Sequence, residues 1–170
     1  MAPDRSPDFQ RIVTAYGDSL LRMCYLYLQD IHLAQDAVQE TFLRVHKHYA
    51  SFRGQASEKT WIVRIAINVC KNYLRSNWLR RVDAVASLKS IPAENPNEYD
   101  DTLIVEIMKL PPRYKDVILL YYYQEMKIRE IAEALGAPAS TVAVRLKRAR
   151  ERLKKALKGW YFDAYKENDR

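Results

Sequence analysis

The stretch STVAVRLKRARERLKKALKGW, Ser140 to Trp160, holds eight cations (Arg145, Lys147, Arg148, Arg150, Arg152, Lys154, Lys155 and Lys158) against one acid, Glu151. Cations at that density, with Val, Leu and Ala recurring between them, suit one chemistry: attraction of a polyanion by one face of a helix whose other face is buried. A second basic block, Thr60 to Arg81, carries Arg64, Lys71, Arg75, Arg80 and Arg81 and no acid. Between the two, Asp83 to Asp101 has Asp83, Glu94, Glu98, Asp100 and Asp101 against Lys89 alone. The whole chain has a formal net charge of +7, which points to nucleic acid or an anionic membrane surface as partner.

Groups for bond-breaking chemistry do not assemble. There is no GxSxG, Gly-rich phosphate loop or HExxH, and four glycines leave little for a phosphate cradle. The chain is therefore expected not to be an enzyme. His46 and His48, two apart, fall on different faces of a helix and, like His32, read as surface or boundary residues. Cys24 and Cys70 sit in apolar helical patterns without CxxC spacing, which predicts two buried thiols rather than a disulfide or zinc site. Neither metal nor cofactor is expected. No run of about 20 apolar residues could span a bilayer, and the start MAPDRSPDFQ is charged and proline-bearing rather than signal-like. The expected location is the cytoplasm, with no membrane insertion.

The elements that must position these cations are helical. With 170 residues and 48% hydrophobic content the chain can form one ordinary domain or two small ones. No alternating strand pattern bounded by turn residues is found, so the fold is expected to be all-α. Ser6-Pro7 reads as the start of a first helix with Phe9, Ile12, Val13, Tyr16, Leu20 and Cys24 at helical spacing. Asp30 can cap a second helix that buries Ala34, Ala37, Val38, Thr41 and Val45. Ser51 to Lys59 reads as a loop, and a third helix runs from Thr60 to about Trp78. SIPAENPNEYDD reads as a linker. Helices resume near Thr102, break at Pro111-Pro112, run from Arg113 to about Tyr123, and end in two helices around LGAPAS. This gives two small helical domains, residues 1–81 and 102–170, joined by an acidic linker at 82–101.

KIREIAEALGAPASTVAVRLKRAR has the form of a helix-turn-helix, with Gly136 in the turn and Ser140 as the next N-cap. Val142, Leu146, Ala149 and Leu153 make one stripe, expected to pack against Ile128, Ile131 and Leu135. Opposite lie Ser140, Val144, Lys147, Arg148 and Glu151, with Arg145 and Arg152 on one flank and Arg150 and Lys154 on the other. Such a helix can bring its first turns to base edges while the flanking cations reach phosphates across a major groove. Val, Leu and Ala suit close helix packing better than lipid insertion, which favours duplex DNA over a membrane.

On the third helix Ile62, Ile65, Ala66, Val69 and Tyr73 point inward and leave Arg64, Asn68, Lys71 and Arg75 in an outward row with Asn72 beside it, a second polyanion-facing surface. Trp61 reads as a core anchor. The second helix differs: its outward Asp36, Gln39, Glu40, Leu43 and Lys47 surround an apolar side chain with acids and amides, which fits a protein contact. From the residues alone, a stand-alone helix-turn-helix regulator and an adaptor with merely solvated basic helices remain alternatives.

Taken together, DAVQETFLRV (36–45), TWIVRIAINVCKNYLR (60–75) and LPPRYKDVILLYYYQEMKIREIAEALGAPASTVAVRLKRAR (110–150) resemble, in this order and spacing, a bacterial sigma factor of the extracytoplasmic-function group (ECF, group IV) of the sigma-70 family. The resemblance implies a sigma region 2 helical bundle, a sigma region 4 helix-turn-helix, and promoter-specific transcription initiation with core RNA polymerase. It implies that Asp36, Gln39, Glu40 and Leu43 meet the β′ clamp helices. Arg64, Asn68, Lys71, Asn72 and Arg75 would engage the -10 element, and the Gly54 to Lys59 loop would help hold a base extruded from the nontemplate strand. Region 4 would contact the β flap and place Ser140, Thr141, Ala143, Val144, Arg145, Lys147 and Arg148 on the -35 element. Glu58 departs from the family, which commonly has an apolar residue there, and Ala143 and Val144 replace basic or small polar residues, so that readout there would use apolar contact with a thymine methyl. A cognate anti-sigma factor is also implied.

Overall fold

The computed structural model describes residues 8–82 and 98–157, and among these every regular element is a helix. They are α1 (Phe9–Leu28), α2 (Ile31–His48), a 3-10 turn (Tyr49–Ser51), α3 (Glu58–Val82), α4 (Glu98–Lys109), α5 (Pro112–Ile118) continuing into a π-helical turn (Leu119–Tyr123), α6 (Ile128–Leu135) and α7 (Ala139–Ala156). The chain divides into two compact units, so the two-body reading of the sequence is matched in the helical architecture. The acidic stretch 83–97, the cations from Lys158 on, and Ser6 and Pro7 lie outside the described residues.

In the first unit α1, α2 and α3 pack on one another. Asp8 caps α1, its Oδ1 accepting the Arg11 N–H at 3.1 Å. Asp30 caps α2 as expected, accepting from the N–H groups of His32 at 2.8 Å and Leu33 at 3.0 Å. The α1–α2 corner is tight because Gln29 adopts a left-handed conformation, φ 56°, and donates its N–H to Tyr25 at 2.7 Å. The third helix begins at Glu58 rather than Thr60, because the Ser57 hydroxyl accepts the Thr60 N–H at 3.0 Å and sets the first turn two residues earlier. The loop therefore shrinks to residues 52–57. On α3 Ile62, Val63, Ala66, Ile67, Val69 and Cys70 are all buried, an arc of roughly 160° at 100° per residue. Ile65 and Tyr73, expected inward, are half-buried at its edges. Both cysteines are free and fully buried as predicted, and they touch: a hydrogen bond with Cys24 and then burial push the Cys70 thiol up.

In the second unit the backbone of α7 approaches that of α5 most closely and α4 next. Its stripe Val142, Leu146, Ala149 and Leu153 is buried as expected, with the backbone of α5 running alongside. The helix through Arg113–Tyr123 is not uniform. After Ile118 it widens, Gln124 donating to the Leu119 carbonyl at 3.1 Å and Met126 to that of Leu120 at 3.1 Å. Gly136 makes the predicted turn with φ +61°. Ser140 is not the cap of α7. Pro138 precedes the helix at φ -61°, ψ 143° and its carbonyl accepts the Val142 N–H, so Ser140 falls inside the first turn. That leaves its hydroxyl exposed.

The fully buried Ile67 at the centre of α3 tests this packing. Ile67→Ala is expected to cost about 2–5 kcal/mol in chemical denaturation, whereas Asp30→Ala, which loses only a cap, should cost about 1 kcal/mol.

Candidate nucleic-acid interface

The α3 surface is what the core leaves over. Arg64, Asn68, Asn72 and Arg75 are exposed and Lys71 is half-buried, and at helical spacing the five fall within roughly 100° of arc. No acid of α3 interrupts them, since its only carboxylate, Glu58, is turned to the other end. The row is therefore assembled as the spacing predicted.

Glu58 has a different task from the one its position in a loop suggested. Its carboxylate accepts both Arg11 guanidinium nitrogens, at 3.0 and 2.8 Å, the Tyr16 hydroxyl at 3.1 Å and the Tyr49 hydroxyl at 2.6 Å. The Arg11 hydrogen bond is the main reason the Glu58 carboxyl is held at about 2, with the tyrosine hydroxyls adding to it against the opposing effect of burial. The same cluster raises the phenols of Tyr16, by burial first, and Tyr49, by its bond to Glu58 first. One fork-shaped ion pair thus joins α1, the 3-10 turn and the start of α3. Beside it Phe52 stacks on Trp61, centroids 4.7 Å apart and planes at 21°. Trp61 is half-buried in this aromatic cluster, a wall of the loop more than a core anchor.

On α2 Asp36 and Gln39 are exposed, Leu43 is 65% exposed, and Glu40 pairs with Arg44 at 2.7 Å. Arg44 offsets part of the acidity the sequence suggested. The patch borders α3, where burial first, then the charges of Asp36 and Glu40, raise the Tyr73 phenol.

On α7 Ser140, Ala143, Val144, Lys147 and Arg148 are exposed and Thr141 and Arg145 half-buried. Ser140, Thr141, Val144, Arg145 and Arg148 line a shallow cleft of about 280 Å³ together with Arg113 and Tyr114. Ala143 and Lys147 lie outside it. Arg113 and Tyr114 were missed by sequence reasoning, although PPRYK places them in the first turn of α5, the helix that covers α7. Tyr114, only 3% exposed, lies under Arg113 at 4.9 Å and Arg152 at 5.0 Å. Burial pushes its phenol up, but Arg113, a hydrogen bond with Arg148, and Arg152 outweigh that and leave it below its usual value. Arg150 departs from its expected place. Its Nε–H donates to the Tyr122 hydroxyl at 2.7 Å and its guanidinium lies 5.0 Å from the Tyr121 ring, so it braces the π-helical turn instead of flanking a groove. Val144, 48% exposed, stands at the centre of the outward face.

Residues 12–80 match the family described as Sigma-70 region 2, and residues 101–153 match Sigma-70, region 4. The chain is 32% identical to the ECF RNA polymerase sigma factor SigW of Bacillus subtilis, over 88% of this chain and 89% of that one. It is 30% identical to the RNA polymerase sigma-H factor of Pseudomonas aeruginosa, over 88% of this chain and 86% of that one. In fold it is similar to the sigma factor RpoE crystallised with the anti-sigma factor NepR from Bartonella quintana, with TM-score 0.76 and 21% identity over 89% of this chain and 97% of that one. It is also similar to CnrH in complex with the cytosolic domain of CnrY, with TM-score 0.67 and 22% identity over 89% of this chain and 88% of that one.

The Glu58 cluster gives a pH dependence with a definite sign. A carboxyl depressed in the fold contributes stability that is complete above its unfolded value, about 4.3, and is lost as pH falls from there toward about 2. Glu58→Gln is therefore expected to lower Tm at pH 6–7, and the gap to the wild type should shrink steadily between pH 5 and pH 2.5 in scanning calorimetry. A gap constant across that range would contradict the assignment.

Proposed function

The chain belongs to the extracytoplasmic-function (ECF) RNA polymerase sigma factors of the sigma-70 family, and on that premise we propose how its surfaces divide the work. Its function is promoter-specific transcription initiation with RNA polymerase, performed by binding rather than by bond-breaking chemistry. The segment 1–81 acts as a region 2 domain and 102–170 as a region 4 domain, with 82–101 as linker, the arrangement of group IV. The protein works in the bacterial cytoplasm, where the polymerase and chromosome are.

In this reading α7 lies in the major groove of the -35 element, with Ser140, Thr141, Ala143, Val144, Arg145, Lys147 and Arg148 toward the DNA. The single observation that carries it is the exposed α7 face, where a hydroxyl, two small apolar side chains and two cations stand free of the core while Tyr114 backs the arginines beside them. Ala143 and Val144 offer no hydrogen bonds, and the chemistry they suit is contact with thymine methyls. Arg64, Asn68, Lys71, Asn72 and Arg75 of α3 track the -10 element, the cations on phosphates and the asparagines within reach of base edges. Strand opening follows from binding energy: unstacking a base costs a few kcal/mol, which a site for that base and a cationic track can offset. The segment Gly54 to Lys59, the tip of the loop with the first turn of α3, helps to hold the extruded base. Asp36, Gln39, Glu40 and Leu43 meet the β′ clamp helices, and region 4 meets the β flap. A cognate anti-sigma factor covers the polymerase-binding surface, a reading supported by the NepR and CnrY complexes of the two proteins similar in fold. No helix among the described residues is long and apolar enough to cross a membrane.

Transcription in vitro with core polymerase on a genomic promoter library should give initiation at a defined subset of promoters, and a lack of selectivity would sink the reading. Within such a complex Arg148→Ala is expected to weaken the upstream footprint by about 1–3 kcal/mol. Arg150→Ala, whose side chain braces Tyr121 and Tyr122, should instead lower Tm and leave the footprint in place. Leu43→Ala is expected to leave Tm unchanged, since the side chain is 65% exposed, while weakening assembly with core polymerase by about 1–2 kcal/mol in a competition binding assay.

A further inference from the structure

The cluster of Arg11, Tyr16, Tyr49 and Glu58 stands at both ends of the loop 52–57. Tyr49 opens the 3-10 turn that leads into the loop, and Glu58 is the first residue of α3 after it. The 2.6 Å hydrogen bond from Tyr49 to Glu58 closes the neck of the loop. Arg11 and Tyr16 grip the same carboxylate from α1 and tie that neck to the body of the unit. Within the loop Phe52 is stacked on Trp61, and Tyr49 meets the Trp61 ring edge-on at 6.0 Å. Arg53, Gly54, Gln55 and Ser57 remain exposed. Gly54, at φ +70°, makes the turn at the tip, with open space where a side chain would point.

Resting on the reading that this loop takes a base from the opened strand, we propose that Glu58 is a positioning residue, whose carboxylate presets the loop so that the unstacked base enters a receptacle already formed. Six residues that had to order themselves at that moment would draw on the same interaction energy that must offset unstacking. A loop fixed at its neck avoids this, and the half-buried faces of Phe52 and Trp61 are held where a base can meet them. Four donors on one carboxylate fix its orientation more tightly than a single ion pair would, because the guanidinium fork sets the plane and the two hydroxyls set the remaining directions. The acid at this position thereby gains a role of its own.

The test uses the full chain assembled with core RNA polymerase. Wild type and Glu58→Gln are compared for the rate of strand opening on a duplex promoter. They are also compared for affinity toward premelted templates carrying each of the four bases, or an abasic site, at the extruded position. Glu58→Gln is expected to open the duplex about tenfold more slowly and to lose most of its preference among the bases, with the upstream footprint unchanged. If Glu58→Gln does not fold, Tyr49→Phe serves, since it leaves the ion pair and removes one hydrogen bond; the same losses are then expected in smaller measure. A folded variant that keeps the wild-type base preference overturns the proposal, whether or not opening is slowed. If the wild type itself does not distinguish a base from an abasic site, the reading of the loop fails first and the role of Glu58 falls with it.

Discussion

Burial of α3 across about 160° of its circumference is the constraint from which the first unit follows. Ile62, Val63, Ala66, Ile67, Val69 and Cys70 are consumed by packing against α1 and α2, and only the opposite side of the helix remains for anything else. On that side Arg64, Asn68, Lys71, Asn72 and Arg75 stand. A helix so deeply held cannot tilt or slide without breaking its core, so the cations keep a fixed spacing along whatever they meet. The same burial fixes the start of α3, and with it Glu58, at the neck of the loop 52–57. Stability and presentation of the interface are one property here, since the residues that hold α3 also aim its outer face.

The second unit reaches a similar end by other means. The core under α7 is a thin stripe of Val142, Leu146, Ala149 and Leu153, and its flanks are held by tyrosines. Tyr114 lies against Arg152 and Arg148 on one side, and Tyr121 and Tyr122 against Arg150 on the other. Long arginines lose much conformational freedom when they bind, and a ring face that restricts them beforehand reduces that loss. The π-helical turn at Leu119–Tyr123 helps to bring two consecutive tyrosines to the same arginine.

Much of this was legible in the chain. Periodicity located the helices; the buried stripe of α7 agreed with it residue by residue, and that of α2 did so except that Val38 is half-buried and Phe42 is buried in addition, because a helix in a small domain must put its apolar positions inward. Asp30 and Gly136 announced a cap and a turn through local chemistry alone. The outward rows on α3 and α7 were legible for the same reason, as complements of the apolar stripes. The reading failed where a local signal met a competing one. Ser140 has the right chemistry for a cap, but Pro138 fixes the backbone two residues earlier. Glu58 sat in a polar stretch that reads as loop, yet Ser57 caps the helix before it.

What the sequence by itself determined is whatever depends on neighbours within a turn or two: helix spans, buried stripes, the two cationic faces and the patch around Leu43. What only the tertiary structure decided is which distant groups meet. Arg11 and Glu58 are 47 positions apart, and Arg150 and Tyr122 are 28 apart. No periodicity links such pairs, because their meeting depends on the angle at which helices cross and on which flank a long side chain takes. That is why Arg150 could be counted among the groove-facing cations from its spacing and yet be turned inward by a phenol, while Glu58 proved to be the point at which three elements are joined.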